Sequence, residues 1–433
     1  MTDLKTTAGK IEDLEAKLAE SRAPLGEVPA ARTAIEGLFD AGTFVETDAL
    51  ARHRSTDFGR EHDRPYTDGV ITGYGTIDGR KVCAYAQDDT IFDGTMGEVY
   101  GEKVVKLYDL AIKTGVPIVA LTTGDKPRAQ EGIVSLAYQA RIFERATKAS
   151  GLIPQITAVY GDHLSIIAGL SDIVIGTDTK AGVRTVLSYL PSNNRAEAPR
   201  TDAPLMAGTI ADNIRTEDTA LNDAVANDGT VDLSAVVTTL FEDLLELQES
   251  VPGVYTAFGR LEGRTVGIVA NAGVLDDAAA AKAARFIQLC DVFNTPLVEL
   301  VDTAALDTSP AALSKLVHAY SAATVGKVTV NVARSFGNGY VVFGSKDLGA
   351  DLAYAWPTAQ IAVDDAPALA DTLGLDSAEE AAAWLTPYQA AERGLVDAVI
   401  EPAATRGYLI EGLRFLERKL VTNPPKKHGN IAL

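Results

Sequence analysis

The side chains that most often bind metals or act as nucleophiles are sparse in this chain, and their spacing argues against both roles. His53, His62, His163, His318 and His428 are its five histidines, and no two of them stand at a ligand spacing such as H-x-x-x-H. No metal site is expected. Cys83 and Cys290 each lie inside an apolar run, which reads as two small buried residues and not as a disulfide or a metal pair. One loop, Gly161-Asp162-His163-Leu164-Ser165, sets Asp, His and Ser side by side, the residue types of a hydrolase triad. Close neighbours on one short loop rarely reach the relayed geometry that a triad needs. The cluster therefore reads as loop-capping polar groups, with His163 as a general base the weaker alternative. No phosphate-binding Gly-rich loop or other ATP-handling signature is present.

If side-chain nucleophiles are not the chemistry, the backbone must be examined, and the chain repeats its backbone pattern. Residues 73–88, GYGTIDGRKVCAYAQD, and residues 257–272, AFGRLEGRTVGIVANA, share a strand, an acidic-Gly-Arg turn and a second strand. Asp78-Gly79-Arg80 matches Glu262-Gly263-Arg264. Each hairpin is followed by a helical pattern and a β-rich run led by proline, with Pro117 and Pro296 in matching places. A third pair follows in the same order, SGLIPQITAVYG and ATVGKVTVNVARSFG. Three matches in one order indicate two copies of one α/β unit, with helices covering mostly buried sheets.

Residues 191–235 contain PSNNRAEAPRTDAPLMAG and then acidic, Gly- and Asn-containing sequence, the pattern of an exposed connection. The boundary is placed near residue 240, giving domains 1–240 and 241–433. LSAVVTTLFEDLLELQES, with Val236, Leu240, Leu244 and Leu247 at helical spacing, is predicted to be an amphipathic helix opening the second half.

A chain of 433 residues with 46% hydrophobic and 23% charged residues can bury substantial cores and is not a disordered sequence. Its formal charge of −20 repels phosphate polymers, and no basic run interleaved with aromatics appears, so nucleic acid is excluded as a partner. Coenzyme A is not excluded, because local cations or helix N-termini can reverse the field. The polar N-terminus and the absence of a membrane-length apolar run place the protein in the cytoplasm, away from membranes.

RHRSTDFGREHDRPYTDGVITGYGTIDGRKVCAYAQDDTIFDGTMGEVYGEK, at residues 52–102, resembles the N-terminal signature of propionyl- and acetyl-CoA carboxylase β subunits. AARFIQLCDVFNTPLVELVD, GSKDLGADLAYAWPTAQIAV, PYQAAERGLVDAVI and TRGYLIEGLRFLERKL with PPKKHGNIAL resemble the same family in the same order. The chain is thus similar to the carboxyltransferase β subunits of biotin-dependent acyl-CoA carboxylases. The resemblance implies tandem crotonase-like domains, each a β-β-α superhelix, arranged in a ring-stacked hexamer. It also implies a reaction in which an acyl-CoA enolate captures CO2 released from carboxybiotin, giving a malonyl- or methylmalonyl-CoA type product. With no Met-Lys-Met site among Met1, Met96 and Met206, biotin must ride on a separate carrier subunit, and its carboxylation belongs to a biotin carboxylase subunit.

In that reaction the thioester carbonyl and the biotin ureido oxygen both gain negative charge, and preorganised backbone N–H groups must meet each. The family's first loop, a Gly-rich D-G/S-G/A-G-A-R-I-Q-E-G, here reads Thr123-Gly124-Asp125-Lys126-Pro127-Arg128-Ala129-Gln130-Glu131-Gly132. Lys126 stands at a glycine position, and Pro127 has no N–H to offer. The glycine pair of the thioester-side oxyanion hole is absent from the shortened stretch Gly161–Asp172. Gly124, Arg128 and Gly161 are what the resemblance leaves as acyl-CoA contacts. A Gly-Pro turn and Gly-Gly-Ala-x-x-His segment is missing after residue 179. The family's P-G-F-x-P-G loop is replaced by Thr303–Pro310, and its Met-Gly-Ala by Asp364-Asp365-Ala366-Pro367. Phe336-Gly337-Asn338-Gly339-Tyr340 stands where the family has Y-G-G-A-Y, so Asn338 and Gly339 keep the backbone N–H pair on the biotin side.

The losses fall on substrate loops while strands, helices and the C-terminal tail stay family-like. The expectation is a catalytically impaired β-like subunit that supports or regulates an intact β paralogue in a complex of fatty acid metabolism. The alternative is an active enzyme whose remodelled pocket carboxylates, decarboxylates or hydrolyses another CoA thioester.

Overall fold

The computed structural model describes residues 4–160, 165–176, 179–226, 229–247 and 251–430. The chain forms two compact units, Met1–Ala196 and Glu197–Leu433.

In the first unit, α1 (Thr7–Arg22) and α2 (Ala30–Leu38) precede a sheet in which β1 (Val45–Thr47), β2 (Val70–Ile77) and β3 (Arg80–Gln87) run antiparallel. From β3 onward the pairing turns parallel, through β4 (Ile118–Thr122) and β5 (Gln155–Val159) to β6 (Ile173–Ile175). Parallel neighbours need crossovers, and α3 (Glu98–Thr114) and α4 (Ile133–Ala149) supply them, followed by the short α5 (Ile166–Leu170) and α6 (Thr179–Tyr189). Val104, Leu107, Tyr108 and Ala111 recur at helical spacing along α3, and all four are buried against the sheet. Gly115, at φ 64, ends that helix in the left-handed region.

The second unit repeats the order. After α7 (Leu233–Leu240), the strands β7 (Glu242–Glu246), β8 (Val254–Leu261) and β9 (Arg264–Asp276) run antiparallel. Parallel pairing then continues through β10 (Leu297–Asp307), β11 (Lys327–Phe336) and β12 (Leu352–Ala355), with β13 (Gln360–Ala362) on the end of β11 and β14 (Ala398–Val399) beside β12. α8 (Asp277–Val292) and α9 (Pro310–Ala322) are the crossovers, and α10 (Asn338–Val342), α11 (Ala366–Leu373), α12 (Ala378–Ala382), α13 (Pro387–Glu392) and α14 (Thr405–Leu416) complete the unit. The tandem α/β arrangement expected from the repeat is what forms. Both hairpin turns have two residues at positive φ, Asp78 and Gly79 at 50° and 75°, Glu262 and Gly263 at 54° and 72°. That is the backbone a two-residue hairpin needs to match the strand twist.

Both cysteines are free and buried, as expected. Cys290 owes its place to Gly267 on β9, where an added Cβ would overlap the sulfur. Among the described residues no helix is long and apolar enough to cross a membrane.

Three details differ from the sequence reading. The predicted helix over 233–250 stops at Leu240, and Glu242–Glu246 becomes an edge strand on β8, because β8 otherwise lacks a partner on that side. Thr303–Asp307, read as a loop, continues β10 against Gly273–Asp276 of β9 across a register shift. The compact units divide at 196/197 and not near 240: Leu221, Leu233, Val236, Val237 and Leu240 lie in the second unit's core with Trp356. The segment assigned to an exposed connection is therefore partly core.

Candidate functional site

Each half ends its parallel strands in a loop followed by a short helix, and backbone N–H groups at that helix start are the chemistry available. In the first half, Gln87 at the end of β3 organises the loop after β4. Its Oε1 accepts from Thr122 Oγ1 at 2.6 Å and from the Thr123 N–H at 2.8 Å, and its Nε2 donates to the Gly124 carbonyl at 3.1 Å. Gly124 donates its N–H to Thr122 Oγ1 at 3.1 Å and sits at φ 142, so its amide is turned inward. The next residues are stitched to Met96, which donates to the Lys126 carbonyl at 2.9 Å and accepts from the Arg128 N–H at 3.0 Å.

Arg128 faces the core. Its guanidinium, 1% exposed, donates to Asp68 Oδ1 at 2.6 Å, Glu131 Oε1 at 2.8 Å, the Thr95 carbonyl at 2.8 Å and the Asp68 carbonyl at 3.1 Å. Gly97 makes room for it, since a Cβ there would overlap Nη1. The two carboxylates reach on to α3: the Glu98 N–H donates to Glu131 Oε2 at 2.6 Å and the Tyr100 N–H to Asp68 Oδ2 at 2.8 Å. Burial pushes the Asp68 carboxyl upward, against the pull of Arg128. Arg128 thus fastens the loop to the start of α3, and among the described residues its guanidinium hydrogen bonds stay inside this unit.

In the sequence Asp125 is one more residue of the rewritten loop; in the structure it organises this site. Its carboxylate accepts from the Ile167 N–H at 3.1 Å, from the Ile166 N–H, and from Ser165 Oγ at 3.3 Å. Ser165 in turn caps α5 through the Ala168 N–H at 3.2 Å. The donors that open α5 are consumed by a carboxylate of the same chain. Burial lifts the Asp125 pKa, offset in part by the bonds from Ile167, Ile166 and Ser165. Gln139 Nε2 on α4 holds the Asp125 carbonyl, fixing the loop from its other side. The link joins residues forty apart, so no local pattern announces it. Gly161, with Asp162 and His163, lies outside the described residues.

The second half offers the contrast. Gly337, at φ 52 and ψ −130, caps α10 and donates to the Ala362 carbonyl at 3.0 Å. Only glycine holds that backbone without strain. Among the described residues no acceptor takes the N–H of Asn338 or of Gly339, which begin α10. Thr303 packs against Gly339 so closely that an added Cβ would lie 2.5 Å from its Cγ2. Beneath, Arg334 grips the buried Asp302 carboxylate at 2.8 and 2.7 Å, and Ser335 Oγ donates to Asn331 Oδ1 at 3.1 Å. Counting from the matched prolines, the position equivalent to Asp125 is Ala304, which has no carboxylate to offer. Gly124 and Arg128 share the first unit's loop, and Asn338 and Gly339 share the start of α10 in the second.

The N–H pair that opens α10 is thus available to an incoming acceptor, and the equivalent pair of α5 is already held by the Asp125 carboxyl group. Among the described residues no side-chain nucleophile is positioned there. The carboxyl transferase domain family matches residues 29–168 and 162–431 of the chain. The biotin-dependent acetyl-/propionyl-coenzyme A carboxylase beta5 subunit of Mycobacterium tuberculosis is 41% identical, with 100% of this chain and 96% of that protein covered. That alignment spans 529 positions against 433 residues here, so this chain carries internal gaps. The methylmalonyl-CoA decarboxylase subunit alpha of Veillonella parvula is 34% identical over 99% of this chain and 100% of that one. Among solved structures, the transcarboxylase 12S hexamer with methylmalonyl-coenzyme A bound superimposes with a TM-score of 0.91 at 32% identity, covering 99% of both chains.

Proposed function

Because this chain belongs to the carboxyl transferase domain family, with its tandem crotonase-like fold, we propose that it is a carboxyltransferase-type β subunit of a biotin-dependent acyl-CoA carboxylase complex, impaired on its thioester side. The observation that carries the impairment is the Asp125 carboxylate on the Ile166 and Ile167 N–H groups. A thioester enolate arriving there would meet a like charge where it needs donors. On the other side, Asn338 and Gly339 fit the ureido oxygen of a biotin brought by a separate carrier, and the Gly337 turn orients them. Carboxybiotin supplies CO2 in this chemistry; what this chain adds is the pair of N–H groups and the packing of Thr303 that fixes them.

As a subunit, the chain assembles with itself in a homo-oligomer or with an intact β paralogue in a hetero-oligomer, of hexameric type, served by a biotin carboxylase and carrier α subunit. The hexamer of transcarboxylase 12S supports that assembly. Ile133, Leu136, Trp384, Tyr388 and Phe415 are exposed apolar side chains that an oligomer would cover. Co-expression with an intact family β subunit, followed by light scattering and native mass spectrometry, tests this: mixed rings are expected, and a monomer both alone and with the paralogue refutes it.

A second reading has support in the decarboxylase relative. In it the internal gaps leave a remodelled pocket that carboxylates, decarboxylates or hydrolyses another CoA thioester. Turnover of malonyl- or methylmalonyl-CoA by the isolated chain would favour it.

A further inference from the structure

The central strand of the second unit carries a carboxyl group with no partner. Glu299 on β10 is 1% exposed, and neither of its carboxyl oxygens meets a hydrogen-bond partner among the described residues. The parallel registers set it beside Thr329 of β11 and Val269 of β9. Over it lies the turn that ends α10. Gly344, at φ 55 in that turn, sits so close that a Cβ would overlap Glu299 Oε2 and come within 2.6 Å of Thr329 Oγ1. Thr329 Oγ1 donates to the Gly344 carbonyl at 2.7 Å, clamping the turn onto the carboxyl.

The charges around Glu299 do not neutralise it. Lys327, two residues before Thr329 on β11, is the charged group that acts on it, but the ammonium is spent on the Tyr320 carbonyl of α9 at 2.7 Å and on that of Ala323, which caps α9, at 3.2 Å. Lys419, Asp351 and Asp291 surround that ammonium in turn. Lys346, just beyond the turn, is engaged by Asp397 at 2.6 Å. Val269 on β9 contributes no charge. Burial therefore raises the Glu299 carboxyl well above the ordinary glutamate range, with Lys327 opposing only part of the effect.

We infer that Glu299 is a pH-sensitive pin beneath the second-half site: neutral, it lets the Gly344 turn and α10 seat on β10 and β11, and ionised, it drives that turn off the strands and loosens the Asn338 and Gly339 amides. The meaning of those amides for a biotin carrier rests on the functional reading above. The ionisation does not, and its test needs neither carrier nor acyl-CoA. An acid whose folded pKa is raised contributes its full share of stability below the ordinary range, and that share is lost as pH climbs toward the folded value.

Hydrogen exchange of the full-length chain, followed by mass spectrometry over peptides spanning 334–345, reads the seating of α10 directly. Corrected for the intrinsic rate, wild-type exchange should rise with pH by up to about tenfold per unit, the slope of one proton released on opening. Glu299→Gln should remove the slope. Glu299→Met, which buries no polar group, covers the case in which the glutamine variant does not fold. A flat corrected rate in the wild type, or the same slope in the variants, overturns the inference.

Discussion

The Asp125 carboxylate and the Ile167 amide, 3.1 Å apart, close the start of α5 from within the chain. Where the second half leaves Asn338 and Gly339 without an acceptor among the described residues, the first half has supplied its own anion. The difference traces to one position of the repeat, Asp125 against Ala304, and it separates a helix start with open N–H groups from one whose N–H groups are held by a carboxylate.

Asp125 also acts as a cap. Asp125→Ala should lower the melting temperature through the loss of about 1 kcal/mol, the usual value of a helix-start acceptor. Hydrogen exchange in 165–170 should quicken in the same variant. Carboxylase activity should not appear, because Pro127 still lacks an N–H and the loop stays tied to Met96 and Gln87. Unchanged exchange in 165–170 would show that the carboxylate does not hold α5.

Arg128 should behave as a structural residue. Arg128→Ala leaves the fully buried Asp68 and the buried Glu131 without their cation, a loss on the order of 3–5 kcal/mol, enough to make the protein insoluble or partly unfolded. Adding Asp68→Asn should recover a substantial part of the loss in chemical denaturation. Normal stability of Arg128→Ala with weakened acyl-CoA binding would instead restore the substrate-contact role that the family resemblance implies.

Both thiols should be inert in the native protein. Burial pushes Cys83 up to about 12 and lifts Cys290 well above the ordinary thiol range, so neither forms a thiolate at neutral pH. A thiol-reactive dye should titrate no cysteine in buffer and two in denaturant. Stoichiometric labelling of the folded chain would contradict the packing of Cys290 against Gly267.

Gly339→Ala tests the second-half site. The added methyl meets Thr303 Cγ2, and relief requires α10 to move, at a cost of about 1–3 kcal/mol. Carrier-domain binding, measured by calorimetry with a biotinylated carrier, should fall along with stability. Undiminished binding would show that α10 does not face the carrier.

The repeat was legible because its signals are local. Asp78-Gly79 and Glu262-Gly263 announce turns that need two positive φ values, and the prolines at 117 and 296 mark the strands that follow. What escaped depends on distant partners. Leu244 fits a helical period as well as Leu240 does, and only the open edge of β8 decides that it lies in a strand. Thr303–Asp307 looks like a loop until β9 is known to extend to Asp276 beside it. Arg128 was legible as family-like but not as buried, since Asp68 and Thr95 approach it from other segments. Asp125 was visible as a residue and invisible as a cap, because its partners come forty residues later.

Radiolabelled bicarbonate incorporation into acid-stable product, with a competent biotin carboxylase and carrier, acetyl-CoA or propionyl-CoA, and this chain as sole carboxyltransferase, tests the central claim most directly. Loss of a single preorganised oxyanion donor slows such reactions by about a hundredfold or more, and here a pair is occupied by a carboxylate. The account predicts incorporation near background for this chain alone and full activity for an intact paralogue assayed in parallel. Robust incorporation by this chain alone would contradict it.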